Sequence, residues 1–274
     1  MRLKHYLLCI LAVSSLSACL RDEDPPGTDP GTNPGTEPGA EAVATYTLGE
    51  PTNYETKLEG LSAICMNEAG NGLLVAEDNG HIYEFGLDGT LLNTFEVPNP
   101  DGRTKVDLEG IALSPDGKLY VCEERYREVY LLGADHKSIT LLSTGPKEEG
   151  AQDNQGYEGI AAGKDVLYVA NQSAPKRVYT YSLKTGEWAT AFNADWATSL
   201  SDLYFDKDDG TLWITDAKTQ KLTQLKADGT VLNTYNISFV DKPEGFCMDK
   251  ANKKFWFVCD KTSRLISVSY QLSK

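Results

Sequence analysis

Asp107-Leu108-Glu109-Gly110-Ile111-Ala112-Leu113 is written once in full and then echoed along the chain. The echoes are Leu58-Glu59-Gly60-Leu61-Ser62, Tyr157-Glu158-Gly159-Ile160-Ala161 and Pro243-Glu244-Gly245-Phe246-Cys247, with a weaker copy at Leu200-Ser201-Asp202-Leu203-Tyr204. Aligned on the Glu-Gly pair, they stand 50, 49, 43 and 43 residues apart. Self-similarity at such a period means blades or a solenoid.

Each copy runs into a Gly-, Asn- or Asp-bearing turn and then a second apolar run, at 73–77, 119–123, 167–171, 212–216 and 256–260. Runs that are apolar on both faces and rich in β-branched and aromatic residues suit strands buried between neighbouring sheets. A third run alternates polar with apolar, at 81–85, 129–132, 178–181, 222–225 and 264–268, as a more peripheral strand does. A fourth is legible at 91–97, 138–142, 188–192 and 231–237, and is missing from the last repeat. Ala44-Thr45-Tyr46-Thr47-Leu48 has strand character and no repeat of its own. The reading is all-β: a five-bladed β-propeller closed by an N-terminal strand that supplies the missing outer strand of the last blade. An open solenoid would need capping repeats.

The 43 residues ahead of that domain read differently. Arg2 and Lys4, an apolar run from Tyr6 to Val13 and then Leu16-Ser17-Ala18-Cys19 read as a signal peptide over 1–18, too short to span a bilayer. Leu-Ser-Ala-Cys resembles the bacterial lipobox, which makes Cys19 a lipidation site and the membrane a partner through the anchor. Residues 19–43 begin with the acidic Asp22-Glu23-Asp24 and continue as a Pro/Gly/Thr-rich tether. The acidic start resembles a signal for the outer face of the outer membrane, so the expected location is the outer membrane, at the cell surface. The propeller itself is residues 44–274.

Charge narrows the partners. The chain carries −14, residues 1–18 hold +2 and residues 19–43 hold −5, which leaves −11 on the domain. An acidic domain has no electrostatic reason to hold nucleic acid. Cys65, Cys122, Cys247 and Cys259 lie inside apolar runs with no metal-ligand spacing, and are expected as free thiols.

In a propeller the first strand of each blade lines the channel. Glu59, Glu109, Glu158 and Glu244, with Asp202 at the fifth place, are therefore expected to converge at one mouth. The second strands run back to the same face and add an outer circle of Glu77, Glu123, Asn171, Asp216 and Asp260, with Arg125 just beyond it, placed to orient an anionic ligand. Two carboxylates about 6 Å apart repel by roughly 3 kcal/mol at an effective dielectric near 20. Such a ring protonates, binds a cation, or turns its charges onto backbone amides. Oxygen-only donors suit calcium better than zinc or copper.

These openings and second strands resemble the SdiA-regulated family, bacterial envelope propellers distantly similar to NHL-repeat proteins. The matches are Asp107-Leu-Glu-Gly-Ile-Ala, Glu123-Glu124-Arg125, Tyr157-Glu-Gly-Ile-Ala, Leu200-Ser-Asp-Leu and Pro243-Glu-Gly. The resemblance implies a five-bladed propeller and a bound calcium ion, and no settled activity. Two functions stand open. One is a calcium-binding propeller that takes a small molecule, glycan or protein at its acidic mouth; the other is a calcium-dependent hydrolase of lactonase or phosphoesterase type. His81 is the one candidate general base near the mouth. The sequence has no Gly-x-Ser-x-Gly, phosphate loop or His-Glu-x-x-His.

Overall fold

The computed structural model describes residues 44–99, 103 and 106–273; the signal peptide, Cys19 and the tether lie outside these described residues. Twenty strands form five four-stranded antiparallel sheets. Blade 1 is β2 (Leu61–Met66), β3 (Gly72–Glu77), β4 (His81–Gly86) and β5 (Leu91–Glu96). Blade 2 is β6 (Leu108–Leu113), β7 (Leu119–Glu123), β8 (Glu128–Leu132) and β9 (Ile139–Thr144). Blade 3 is β10 (Tyr157–Ala162), β11 (Val166–Asn171), β12 (Arg177–Ser182) and β13 (Trp188–Asn193), and blade 4 is β14 (Leu200–Asp206), β15 (Thr211–Asp216), β16 (Lys221–Leu225) and β17 (Val231–Asn236). Blade 5 is β18 (Pro243–Asp249), β19 (Lys254–Cys259), β20 (Arg264–Ser273) and, as its outer strand, β1 (Thr45–Glu55).

The expected closure by the N-terminal segment is therefore present, and it is longer than Ala44–Leu48. β1 pairs with β20 from Thr45↔Ser273 to Leu48↔Tyr270, bulges, and resumes from Pro51↔Val268 to Glu55↔Arg264. The inner strands β2, β6, β10, β14 and β18 touch in a closed ring. Five apolar clusters fill the five seams between blades. One sets Ala63 and Ile82 of blade 1 against Ile111 and Val121 of blade 2; another sets Trp213 of blade 4 against Phe246 and Phe255 of blade 5. All four cysteines of the domain are buried free thiols.

Glycine in the repeated phrase has a packing reason. A Cβ on Gly159 would stand 2.7 Å from the Asp202 Cα of the next blade, and one on Gly245 would stand 2.9 Å from the Ala63 Cα. In these blades glycine lets the inner strands approach this closely.

Register fixes the faces. Leu61, Glu77, His81 and Glu96 are paired in line at one rim of blade 1. The same rim in blade 5 carries Pro243, Cys259, Arg264 and Glu55, so Thr45 opens β1 at the opposite rim.

Candidate functional site: an acidic channel mouth

Each inner strand bulges against its neighbour at its first turn. The register slips between Leu61 and Ala63, Leu108 and Gly110, Tyr157 and Gly159, Leu200 and Leu203, and Pro243 and Gly245. A bulge leaves one residue without a cross-strand partner and re-aims its side chain. Counted from the paired residues, the ring position is Ser62, Glu109, Glu158, Ser201 and Glu244. The mouth thus has three glutamates and two serines.

This corrects blade 1. Alignment on Glu-Gly puts Glu59 in the ring, but β2 starts at Leu61 and Glu59 is exposed, outside the lining of the mouth. The repeat slips by three residues here, because Gly60 sits at φ +69° in the entering turn and does not fill the close-approach position, which Ala63 takes. Ser62 and Ser201 instead brace the ring. Ser62 Oγ donates to the Leu108 carbonyl at 2.5 Å, and Ser201 Oγ donates to the equivalent Pro243 carbonyl at 2.7 Å.

Asp202 is also displaced from its expected role. It is 1% exposed, and its two carboxylate oxygens accept from the Leu203 N–H and the Phe246 N–H, each at 2.8 Å. It occupies the close-approach position held by glycine in three other blades, and its carboxylate ties blade 4 to blade 5. Burial raises its pKa well above the usual range, against those two amide bonds.

Of the expected outer circle Asp260 lines the mouth and the other four do not. Glu77, Glu123, Asn171 and Asp216 are buried and hold the hairpins that follow them. Glu77 Oε2 meets His81 Nδ1 at 2.9 Å, and Glu123 Oε2 accepts from the Tyr126 N–H at 2.7 Å. Asn171 Nδ2 donates to the Pro175 carbonyl at 2.7 Å, and Asp216 Oδ1 accepts from the Thr219 N–H at 3.0 Å. Burial pushes the Glu123 carboxyl up to about 7, against the Tyr126 amide bond. Strand alternation turns the next residue the other way. Asp78, Gln172 and Asp260 therefore line the mouth with Glu109, Glu158 and Glu244, around a cavity of about 140 Å³. His81 is not among the lining residues. Arg125 is exposed and ion-paired with Asp107.

Two features escaped the sequence reading. Lys242 stands inside the acidic mouth, its Nζ 2.8 Å from Glu244 Oε1 and 2.9 Å from Asp260 Oδ2. Its signal was its place two residues before Glu244, just ahead of β18. Asp78, Asp107 and Glu109 also bring one carboxylate oxygen each within 4.8 Å of one another, across the seam between blades 1 and 2.

The electrostatics follow. Burial first, and then Asp78, Glu124 and Asp107, raise the Glu109 carboxyl well above its ordinary range. Burial, then Glu109 and Glu124, do the same to Glu158, whose carboxyl shares a hydrogen bond with Glu124. Burial also raises Glu244, and Lys242 opposes it. Around the Lys242 ammonium, the acids that line the mouth offer oxygen donors.

A family model described as phytase-like, esterase-like activity of phytase, matches residues 56–214. One described as SdiA-regulated matches residues 193–274. A comparison with curated proteins gives no match. Among solved structures, the glutaminyl cyclase of Myxococcus xanthus is similar at a TM-score of 0.61 and 10% identity, over 84% of this chain and 97% of that one. The selenomethionine-substituted virginiamycin B lyase of Staphylococcus aureus is similar at 0.52 and 13%, over 82% and 99%. Both are likenesses of fold. A quinupristin-bound form of that lyase is matched at 0.46 and 19% identity over 76% of this chain, which spans 66% of that relative's length.

Proposed function

Since the chain belongs to the phytase-like family and matches the SdiA-regulated family at its C-terminal end, we propose that its acidic mouth binds a calcium ion and presents it to a ligand at the cell envelope. The observation that carries this reading is the meeting of Asp78, Asp107 and Glu109 oxygens within 4.8 Å, beside Glu158. Hard oxygen donors at such spacing, with no His or Cys among them, fit calcium. When bound, the ion would neutralise these carboxylates and polarise a ligand oxygen. The chain's own groups do the rest. Lys242 bridges Glu244 and Asp260, and the Asp202 strut keeps the inner strands of blades 4 and 5 together. A cavity of about 140 Å³ admits an ion with a few waters or a phosphate-sized group, so a glycan or protein ligand would lie over the rim.

Titration calorimetry with calcium, using the full chain, tests this. One site is expected, and Glu109→Gln should weaken it at least tenfold while preserving the fold. Absence of binding heat, backed by metal analysis, would leave these acids as structural groups and end the calcium assignment.

Catalysis is a second reading, favoured by the Glu124–Glu158 hydrogen bond. Two raised carboxyls that share a proton provide a general acid at neutral pH. Turnover of a p-nitrophenyl phosphate, a p-nitrophenyl ester and a lactone, with and without calcium, decides it. Activity that survives in Glu158→Gln would remove this pair as the general acid, and none on any substrate would remove the hydrolase.

The envelope address rests on Cys19, with 1–18 as signal peptide and 19–43 as tether to the outer membrane surface. β1, which follows the tether, starts at the rim opposite the acidic mouth. Wild type is expected in the outer-membrane fraction and Cys19→Ala in the soluble fraction. Equal membrane association of the two would refute the lipid anchor.

A further inference from the structure

The opposite end of the channel has a ring of its own. Four residues after each bulge, the inner strands place Met66, Leu113, Ala162, Phe205 and Met248 at equivalent positions, paired with Leu73, Leu119, Leu167, Leu212 and Phe255. All five are apolar, and Met66, Leu113 and Phe205 are only half-buried. They line a cavity of about 490 Å³, several times the volume at the acidic mouth. Each of the five belongs to or packs against an interblade cluster, and Met66, Leu113 and Phe205 still leave part of their apolar surface on the cavity.

Blade 3 contributes only alanines to the wall, Ala161 and Ala162, which makes the room. The two methionines are adaptable walls. Tyr204 also lines the cavity, and its hydroxyl has no hydrogen-bond partner among the described residues. The charged lining residues, Glu68, Asp116 and Lys207, are all exposed, and Asp116 and Lys207 are paired with Lys118 at 2.8 Å and Asp208 at 2.6 Å.

We infer that this second mouth is a binding site for an uncharged, largely apolar small molecule carrying one hydrogen-bonding group, received by Tyr204. The size is that of a small-molecule pocket, and its concavity suits such a ligand better than a protein face. The site is separate from the acidic mouth and does not depend on calcium.

The uncharged dye N-phenylnaphthylamine is a direct probe with the full chain. Wild type should enhance its fluorescence saturably, with one site per chain, equally in calcium and in chelator. Ala162→Trp, which fills the cavity, and Met66→Lys, which sets a charge at its half-buried wall, should each lower affinity more than tenfold. Met66 is near the rim, so its variant should keep the wild-type melting temperature even if the filled variant does not. Tyr204→Phe should weaken the dye, an N–H donor, about two- to tenfold. Non-saturable enhancement, or equal affinity in Ala162→Trp and Met66→Lys, overturns the site. So does a wild-type dimer that Met66→Lys converts to monomer, which would make a second copy the occupant.

Discussion

Deleting residues 45–55 is expected to abolish the cooperative thermal transition of the native domain, or to cost roughly 5 kcal/mol or more where folding survives. The strand removed is the outer strand of blade 5, joined to β20 by nine register pairs. It carries Tyr46, whose ring stands 5.0 Å from Trp213, 5.4 Å from Phe255, 5.2 Å from Tyr270 and 6.1 Å from Tyr235. It also carries Tyr54, 5.4 Å from Trp256. Without β1 these rings face water, and β20 presents its backbone as an open edge, a template for another chain. Tyr46→Ala isolates the packing from the ladder and is expected to cost about 2–4 kcal/mol, since it leaves a void among four aromatic rings. Thermal scans with size-exclusion chromatography read both variants. A deletion chain that melts like wild type and stays monomeric would show that the ring holds without its N-terminal strand.

Calcium-free protein is expected to lose stability as pH rises from 5 to 8, the reverse of the usual behaviour of carboxylates. Glu109 and Glu158 are raised in the folded state, so the native protein binds their protons more tightly than the unfolded chain does. Their contribution is complete below the unfolded carboxylate range and is lost as pH climbs through the folded values. Glu123, pushed up to about 7, acts in the same direction within the window. Each unit of pKa passed is about 1.4 kcal/mol for a buried group, and in a domain of this size the melting temperature should fall by several degrees. The acids held low, such as Asp135 and Asp208 at about 2, change only below the window and do not mask the trend. The Lys207 and Lys250 ammonium groups hold Asp208 at that low value, and backbone amides of the 135–138 turn hold Asp135.

Added calcium is expected to reverse the slope. An ion that takes the place of protons binds more tightly as pH rises, so it should restore most stability near pH 8 and least near pH 5. At a hundredfold excess over Kd the gain is about 2.7 kcal/mol. Glu158→Gln removes one of the titrating groups and should flatten the calcium-free profile. A melting temperature in chelator that stays level or rises between pH 5 and 8 would contradict the buried, protonated mouth.

Blade count, strand order and the closing strand were legible in the sequence, because they rest on local chemistry. The phrase around Glu109, the turn residues and the period-two alternation each act within a few residues of chain, and the unmatched strand character at 44–48 had one vacancy to fill. That four of the expected acids, Glu109, Glu158, Glu244 and Asp260, line one mouth was legible too, since the inner strands share one direction. The rest depended on contacts between blades. The letters Glu-Gly pointed to Glu59, yet Gly60 serves a left-handed turn, and only the pairing of Leu61 with Glu77 shows that Ser62 holds the ring position. Glu77 and Asp78 look alike in the sequence, and a one-residue difference in facing buries the first and brings the second to the mouth. Asp202 reads as a ligand until its carboxylate is seen to fill the gap that glycine leaves elsewhere and to accept the Phe246 amide of the next blade. Lys242 and the apolar ring around Met66 likewise acquire meaning only when five distant strands converge. Bulge position and side-chain facing are set by how neighbouring sheets pack, and that information lies between the repeats, in the tertiary structure.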